Sequence, residues 1–381
     1  MANTYFDHNS TAALKTEVLE AMLPFMASQH GNATSRHSFG RTARAAVEHA
    51  REQVANAVGA YANQIVFTAS GTEANNFAVR GICSNLDKGQ ILTSAIEHPC
   101  VSRPALAMHS NGVQAKSIHV DSHCNINLAH LQKLLLAPTN LVSVMLVNNE
   151  TGVIQDIAKV AEIAREHKAY IHTDAVQALG KIPVDFFALG VHAMTVSSHK
   201  IGGPLGAGAL VLDKRIDIQP LLYGGGQERG LRSGTENVAA IVGFGAACDL
   251  ATKNLSAFDV HTANLRDHLE VGLAKLNAVI FGYNGLRVAN TSFFAFNNIE
   301  GETLVTALDK AGFAVASGSA CSSDSTEPSH VLLAMGVPQD LARGAVRVSF
   351  GLSNTIHEVE HFLLALKHEL TRLRTLTAIA A

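Results

Sequence analysis

The sequence predicts an α/β chain with a large domain, built on a mostly parallel sheet flanked by helices, and a smaller α+β domain. Three observations carry this. Apolar runs of strand length alternate with helix-like segments through the first two thirds of the 381 residues, the signature of strand–helix–strand units. Several of those runs are apolar on both faces, as strands covered from both sides are. Beyond about residue 255 the texture changes to a long amphipathic helix followed by closely spaced strand candidates. With 47% hydrophobic residues, a chain this long exceeds one simple core. The large domain is expected over about 16–255, and the small one over 1–15 together with 256–381.

Taken in order, "TAALKTEVLEAMLPFM" and "TARAAVEHAREQVANAVG" read as amphipathic helices, the second stopped by Gly59. "QIVFTAS", "QILTSAIEH", "LVSVMLV", "YIHTDAV", "AMTVSSH" and "GALVLD" read as strands, with "TEANNFAVRG" and "IAKVAEIAREH" as helices between them. The small domain opens with the helix "FDVHTANLRDHLEVGLAKL" and continues through the strand candidates "RVANTSFFAF", "FAVASGS" and "GAVRVSFG". Its last helix starts at Thr355 and Glu358 in capping-box spacing. Ile356, Val359, Phe362, Leu363, Leu366 and Leu370 then fall on one face.

Composition narrows the function. A net charge of −3 and a sequence pI near 6.7 give no basic field for nucleic acid or a membrane surface. The five cysteines, 83, 100, 124, 248 and 321, are scattered and odd in number, which fits a reducing compartment better than a disulfide framework. No apolar run approaches the ~20 residues of a membrane span, and "MANTYFDHNSTA" lacks the charge and apolar pattern of a signal peptide. The expectation is a soluble, cytoplasmic protein.

Three stretches carry chemistry. "ASGTEANN" follows a strand and opens a helix, so its small residues expose free backbone N–H groups to an anion. An ordinary strand–helix turn with a good cap is the other reading. "HTDAVQALGK" sets Asp174 just beyond an apolar strand with Gln177 three residues on. "TVSSHKIGGPLGAG" ends the next strand with Ser197, Ser198, His199 and Lys200. Carboxyl ends of neighbouring parallel strands form the ligand crevice of an open α/β sheet. A buried carboxylate there needs a cation. Either Lys200 supplies it, or a pyridinium nitrogen does while Lys200 forms a Schiff base with an aldehyde cofactor. Elsewhere "SGSACSSDSTEPSH" (317–330) holds Cys321 among glycine and serine, an exposed setting that needs a reason. His119, His123, Cys124 and His130 match no standard zinc spacing, and no metal is expected.

In this order "YFDHNSTA", "GNATSRHSFGR", "FTASGTEANNFAVRG", "SAIEHPCV", "VNNETGVIQDI", "HTDAVQALGK", "SSHKIGGPLGAGAL", "GGGQERGLRSGTENV", "SGSACSSDSTEPSHVLLAMG" and "ARGAVRVSFG" resemble the class V, fold-type I pyridoxal-phosphate enzymes. They are most similar to the cysteine desulfurases of the NifS/IscS group. The resemblance runs from about residue 5 to about 352. It implies that Lys200 holds pyridoxal 5′-phosphate covalently, that Asp174 pairs with the pyridine nitrogen, and that Gln177 meets the phenolic oxygen. It implies His98 on the ring face, and Gly71, Thr72, Ser197 and His199 at the phosphate. Thr235 would reach the phosphate of a second subunit, hence a homodimer. Asn149 and Arg347 would take the carboxylate of L-cysteine, and Cys321 would accept its sulfur as a persulfide, leaving alanine.

The persulfide would then pass to acceptor proteins, such as an iron–sulfur scaffold or a thiolation enzyme. A selenocysteine lyase or a class V aminotransferase is the rival within the same fold, and neither needs Cys321. The resemblance departs at Thr68-Ala69-Ser70-Gly71, where relatives read TSGG or TSGA, and at the C-terminus, which stops soon after the last helix. Two further readings stay open: Arg36 and His37 either close the site or belong to a structural loop, and Cys100, two residues from His98, is structural or reactive.

Overall fold

The computed structural model describes residues 4–86, 89–318 and 327–380. β1 (Thr4–Tyr5) opens the chain. The central sheet contains β2 (Ile65–Thr68), β3 (Gln90–Ser94), β4 (Gln114–Ile118), β5 (Thr139–Ser143), β6 (Tyr170–Asp174), β7 (Ala193–Ser197) and β8 (Gly208–Leu212). Its spatial order is β2-β8-β7-β6-β5-β3-β4. β8 runs antiparallel to both neighbours, and the pairings among β3 to β7 are parallel. Because β8 opposes β7 on one side and β2 on the other, β2 points the same way as the parallel strands. The carboxyl ends of β2, β3, β6 and β7 therefore share one edge of the sheet.

The apolar runs become strands because helices cover both faces. Leu92, Val142, Ile171, Val196 and Val211 join the core cluster on one face, and Val66, Ile91, Leu141, Ala193 and Leu210 the cluster on the other. β4 is the exception. "QAKSI" is largely exposed at the sheet edge, a polar strand with Lys116 of the kind that blunts edge-to-edge pairing. The long helices Ser38–Ala57 and Val238–Lys253 pack on one face. The first ends one residue before Val58, and Gly59 follows at φ +60°, a left-handed conformation that glycine adopts without a Cβ penalty.

β9 (Val279–Ile280), β10 (Thr291–Ala295), β12 (Ala316–Ser317) and β13 (Val346–Ser349) form an antiparallel sheet, and β11 (Phe313–Ala314) pairs in parallel with β1. The helices Leu255–Lys275, Gly301–Lys310 and Ile356–Ala380 accompany this second sheet. Their core combines aliphatic side chains with a phenylalanine cluster: the rings of Phe6 and Phe350 lie 5.1 Å apart edge to face, those of Phe6 and Phe362 5.6 Å, and those of Phe313 and Phe362 5.4 Å. The capping box forms, with the Thr355 N–H donating to Glu358 Oε2 at 2.7 Å and the Glu358 N–H to Thr355 Oγ1 at 3.2 Å. Val359, Phe362, Leu366 and Leu370 are buried as the periodicity predicts.

Candidate active site

A cavity of about 270 Å³ opens where the carboxyl ends of β2, β3, β6 and β7 meet the N-terminal segment and β13. Ten of the twelve predicted site residues line it: Gly71, Thr72, His98, Asn149, Asp174, Gln177, Ser197, His199, Lys200 and Arg347. Thr235 is exposed and lies outside it. Cys321 lies outside the described residues. A second cavity of about 330 Å³, lined in part by Leu14, Phe258 and Leu352, shares only Lys200 with the predicted set.

Asp174 ends β6 and is almost fully buried. Its Oδ1 accepts the Val176 N–H at 2.9 Å and its Oδ2 accepts Asn75 Nδ2 at 2.6 Å. Burial pushes the carboxyl above its ordinary range, against the pull of those two hydrogen bonds and of the His98 and Lys200 charges. A carboxylate in this position gains from a further cationic donor, and a protonated ring nitrogen supplies one. Lys200 follows β7, and its Nζ donates to the backbone carbonyls of Asn9 at 2.7 Å and Ser10 at 2.8 Å.

The anion side of the cavity is equally specific. Ser197 Oγ is buried with no hydrogen-bond partner among the described residues. It sits by Gly71, whose added Cβ would lie 3.4 Å from the Ser197 Cβ. Gly71 and Thr72 are the first residues of a helix capped by Ser70, which accepts the Glu73 N–H at 3.1 Å. Amides of a first helical turn have no intrahelical acceptor. Gly208 pairs with both Thr68 and Ser197 at this edge. A Cβ there would come within 2.6 Å of the Ser70 carbonyl carbon, so only glycine lets β8 pass against the loop. His199 lies alongside, with Nδ1 3.2 Å from Thr11 Oγ1 and its pKa lowered to about 4 by burial and by Lys200. An unpartnered hydroxyl, free amides and a neutral imidazole make a fitting cradle for a phosphate.

His98 caps the helix Pro99–Ala107: its Nδ1 accepts the Cys100 N–H at 3.1 Å. That contact puts the neutral ring's own proton on Nε2. Burial holds its pKa below the ordinary histidine value, partly countered by Asp174. The Cys100 thiol, 2.9 Å from the same Nδ1, also lines the cavity and accepts from Asn75 Nδ2 at 3.0 Å. Burial, then Asp174, pushes this thiol strongly upward.

Arg347, from β13, is 5% exposed. One terminal nitrogen donates to Asp7 Oδ1 at 2.7 Å and Ser10 Oγ at 2.8 Å, the other to the Asn149 carbonyl at 2.9 Å, and Nε has no partner among the described residues. It is thus both paired with an internal carboxylate and open to the cavity. Arg36 and His37 do not line the cavity. His37 caps its own helix by accepting the Gly40 N–H at 3.3 Å. The two ends of the segment holding Cys321 are anchored close by. The Gly318 N–H bonds to the Ala345 carbonyl at 3.0 Å, Ser329 donates to Glu150 Oε2 at 2.5 Å, and His330 Nε2 donates to the carbonyl of Glu97, next to His98, at 3.0 Å. The sequence reading does not single out Asn9, Ser10 and Asn75; only their places in the "YFDHNSTA" and "TEANN" motifs hint at them.

The aminotransferase class-V family model matches residues 4–362. A cysteine desulfurase IscS of Methanosarcina thermophila is 40% identical over 378 residues, covering 98% of this chain and 94% of its own. One from Dictyoglomus turgidum is 41% identical over 377 residues, covering 98% and 96%. Among solved structures, a NifS-like protein superimposes with a TM-score of 0.92 at 38% identity, covering 97% of this chain and 99% of that one.

Proposed function

The chain belongs to the aminotransferase class-V family, and from that membership we propose that it is a pyridoxal-phosphate-dependent cysteine desulfurase. The observation that carries the reading is one cavity into which separate elements bring Lys200, Asp174, His98 and Arg347. When bound, pyridoxal phosphate supplies an electron sink for the charge that develops at the substrate's α-carbon.

Lys200 Nζ would be the amine that holds the cofactor, and as a free amine it would be the base that moves the α-proton. Asp174, steadied by the Val176 amide and Asn75, would pair with the ring nitrogen. Gly71, Thr72, Ser197 and His199 would hold the phosphate. Gln177 would meet the phenolic oxygen and His98 the ring, and His98 would exchange protons through Nε2 because Nδ1 is taken by the Cys100 amide. Arg347 and Asn149 bind the substrate carboxylate, a role suited to the planar guanidinium. The Cys321 thiolate attacks the sulfur of L-cysteine. An S–S bond forms, the C–S bond breaks with its electron pair left on Cβ, and protonation there gives alanine. The persulfide then passes to an acceptor protein. The reading includes a homodimer in which Thr235 meets the other subunit's phosphate. It also includes a large domain over 16–255 and a small one over 1–15 and 256–381, supported by the separate aliphatic and aromatic core.

The test is alanine formation from L-cysteine by the cofactor-loaded protein and its K200A and C321A variants. Wild type is expected to make alanine and both variants to lose at least ~10²-fold, the scale of removing a positioned acid–base group or nucleophile. A C321A variant that turns over selenocysteine while wild type leaves L-cysteine untouched would replace the desulfurase with the lyase.

A further inference from the structure

We propose that Lys181 is a positioning residue whose amine fixes the side-chain amide of Gln177 so that its NH₂ faces the cavity. The inference rests on the cofactor reading, in which Gln177 meets the phenolic oxygen.

Lys181 lies four residues beyond Gln177 and is 5% exposed. Its Nζ donates to Gln177 Oε1 at 2.5 Å and to Asn9 Oδ1 at 2.7 Å. The charges that act on it, Lys200 and Arg347, are both cationic, and burial pushes its pKa well below the usual lysine value. A buried amine in such company is costly, and what it offers in return is two N–H donors aimed at two amide oxygens.

A glutamine amide can present either end to a ligand, so its orientation must come from its neighbours. Gln177 has two such constraints. The Lys181 amine donates on one side, and on the other the Asn9 backbone carbonyl, which can only accept, takes Gln177 Nε2 at 2.9 Å. Both contacts agree on one orientation. The flipped amide would set its carbonyl against the Asn9 carbonyl, which can only accept. The same Asn9 carbonyl accepts from Lys200 Nζ, so the glutamine NH₂ and the cofactor-binding lysine converge on one point.

Lys181 fixes the Asn9 side chain in the same way. Asn9 Oδ1 accepts from Lys181 and from Asn290 Nδ2 at 3.1 Å. Its NH₂ is thereby directed to Thr291 Oγ1 at 2.9 Å and to the Asn149 carbonyl at 3.3 Å. That carbonyl also receives Arg347. One buried amine thus orients the cofactor side of the cavity and, through Asn9, the backbone behind the carboxylate site.

The experiment is a titration of the apoprotein with pyridoxal phosphate, read by the absorbance of the bound cofactor and its pH midpoint, in wild type, K181M, Q177M and the double variant. Thermal melting checks folding. K181M is expected to bind about three- to tenfold more weakly, the size of one well-placed hydrogen bond, with its pH midpoint moved in the same direction as in Q177M. The double variant should bind no more weakly than Q177M alone. K181Q, which stays polar and keeps an N–H donor, covers the case in which K181M does not fold, and should bind within about twofold of wild type, less than the loss of one hydrogen bond. Unchanged binding in K181M, losses that multiply in the double variant, or K181Q as weak as Q177M would each overturn the proposal. Wild type that forms no bound chromophore would instead sink the cofactor reading beneath it.

Discussion

Glu97 stands next to His98 with its carboxyl wholly enclosed. Oε1 takes the hydroxyl of Ser94 and, at 2.8 Å, the Met145 N–H, while Oε2 has no partner among the described residues. Burial raises its pKa from 4.5 to about 8, so at neutral pH the native state keeps a proton that the unfolded chain gives up. Below 4.5 both states hold that proton and the difference vanishes. As pH rises from there through about 8, unfolding is increasingly favoured, by about 1.4 kcal/mol per pH unit at most. The isosteric E97Q removes this dependence. Urea melts of both proteins from pH 5 to 8 should show wild type losing stability relative to E97Q as pH rises, and parallel curves would refute the assignment. The main candidate site residues are legible in the sequence because chemistry and position coincide there: Asp174 ends one apolar strand and Lys200 follows the next. Asn9 is not legible in this way, since it meets Gln177, Lys181 and Thr291 only through tertiary folding.

Among the elements, the last helix shows how local pattern and packing agree. Its capping box sets the start, and Phe362 goes into the cluster of Phe6 and Phe313. Truncation by F362A removes a fully buried ring and leaves a cavity, which costs about 3–5 kcal/mol. Denaturant unfolding should show that loss, and a change below ~1 kcal/mol would mean the helix end is not held by this core. Elements were readable where their periodicity was set by one buried face. β4 escaped because an edge strand needs no apolar pattern. The helix Val238–Lys253 carries buried residues such as Ala240, Phe244, Ala247, Cys248 and Ala251, with Gly243 and Gly245 among them. That composition blurs an amphipathic stripe.

For the whole molecule, the proposed homodimer makes a prediction that a single chain would not. Thr235 is exposed and outside its own cavity, yet T235A should weaken pyridoxal-phosphate binding about three- to tenfold by losing a hydrogen bond across the interface. Sedimentation should give the mass of two chains. A monomer whose T235A variant binds normally would remove the second subunit from the site. Spacing in the sequence could not supply such a geometry, because a group lent by another chain would leave no local trace. The central claim is that sulfur leaves L-cysteine and lodges on Cys321, and peptide mass spectrometry after one turnover tests it directly. The account predicts one added sulfur atom on the peptide holding Cys321, one alanine per sulfur, and no sulfur on the Cys100 peptide, whose half-buried thiol is pushed toward its protonated form. Alanine formed with the Cys321 peptide unmodified would contradict it.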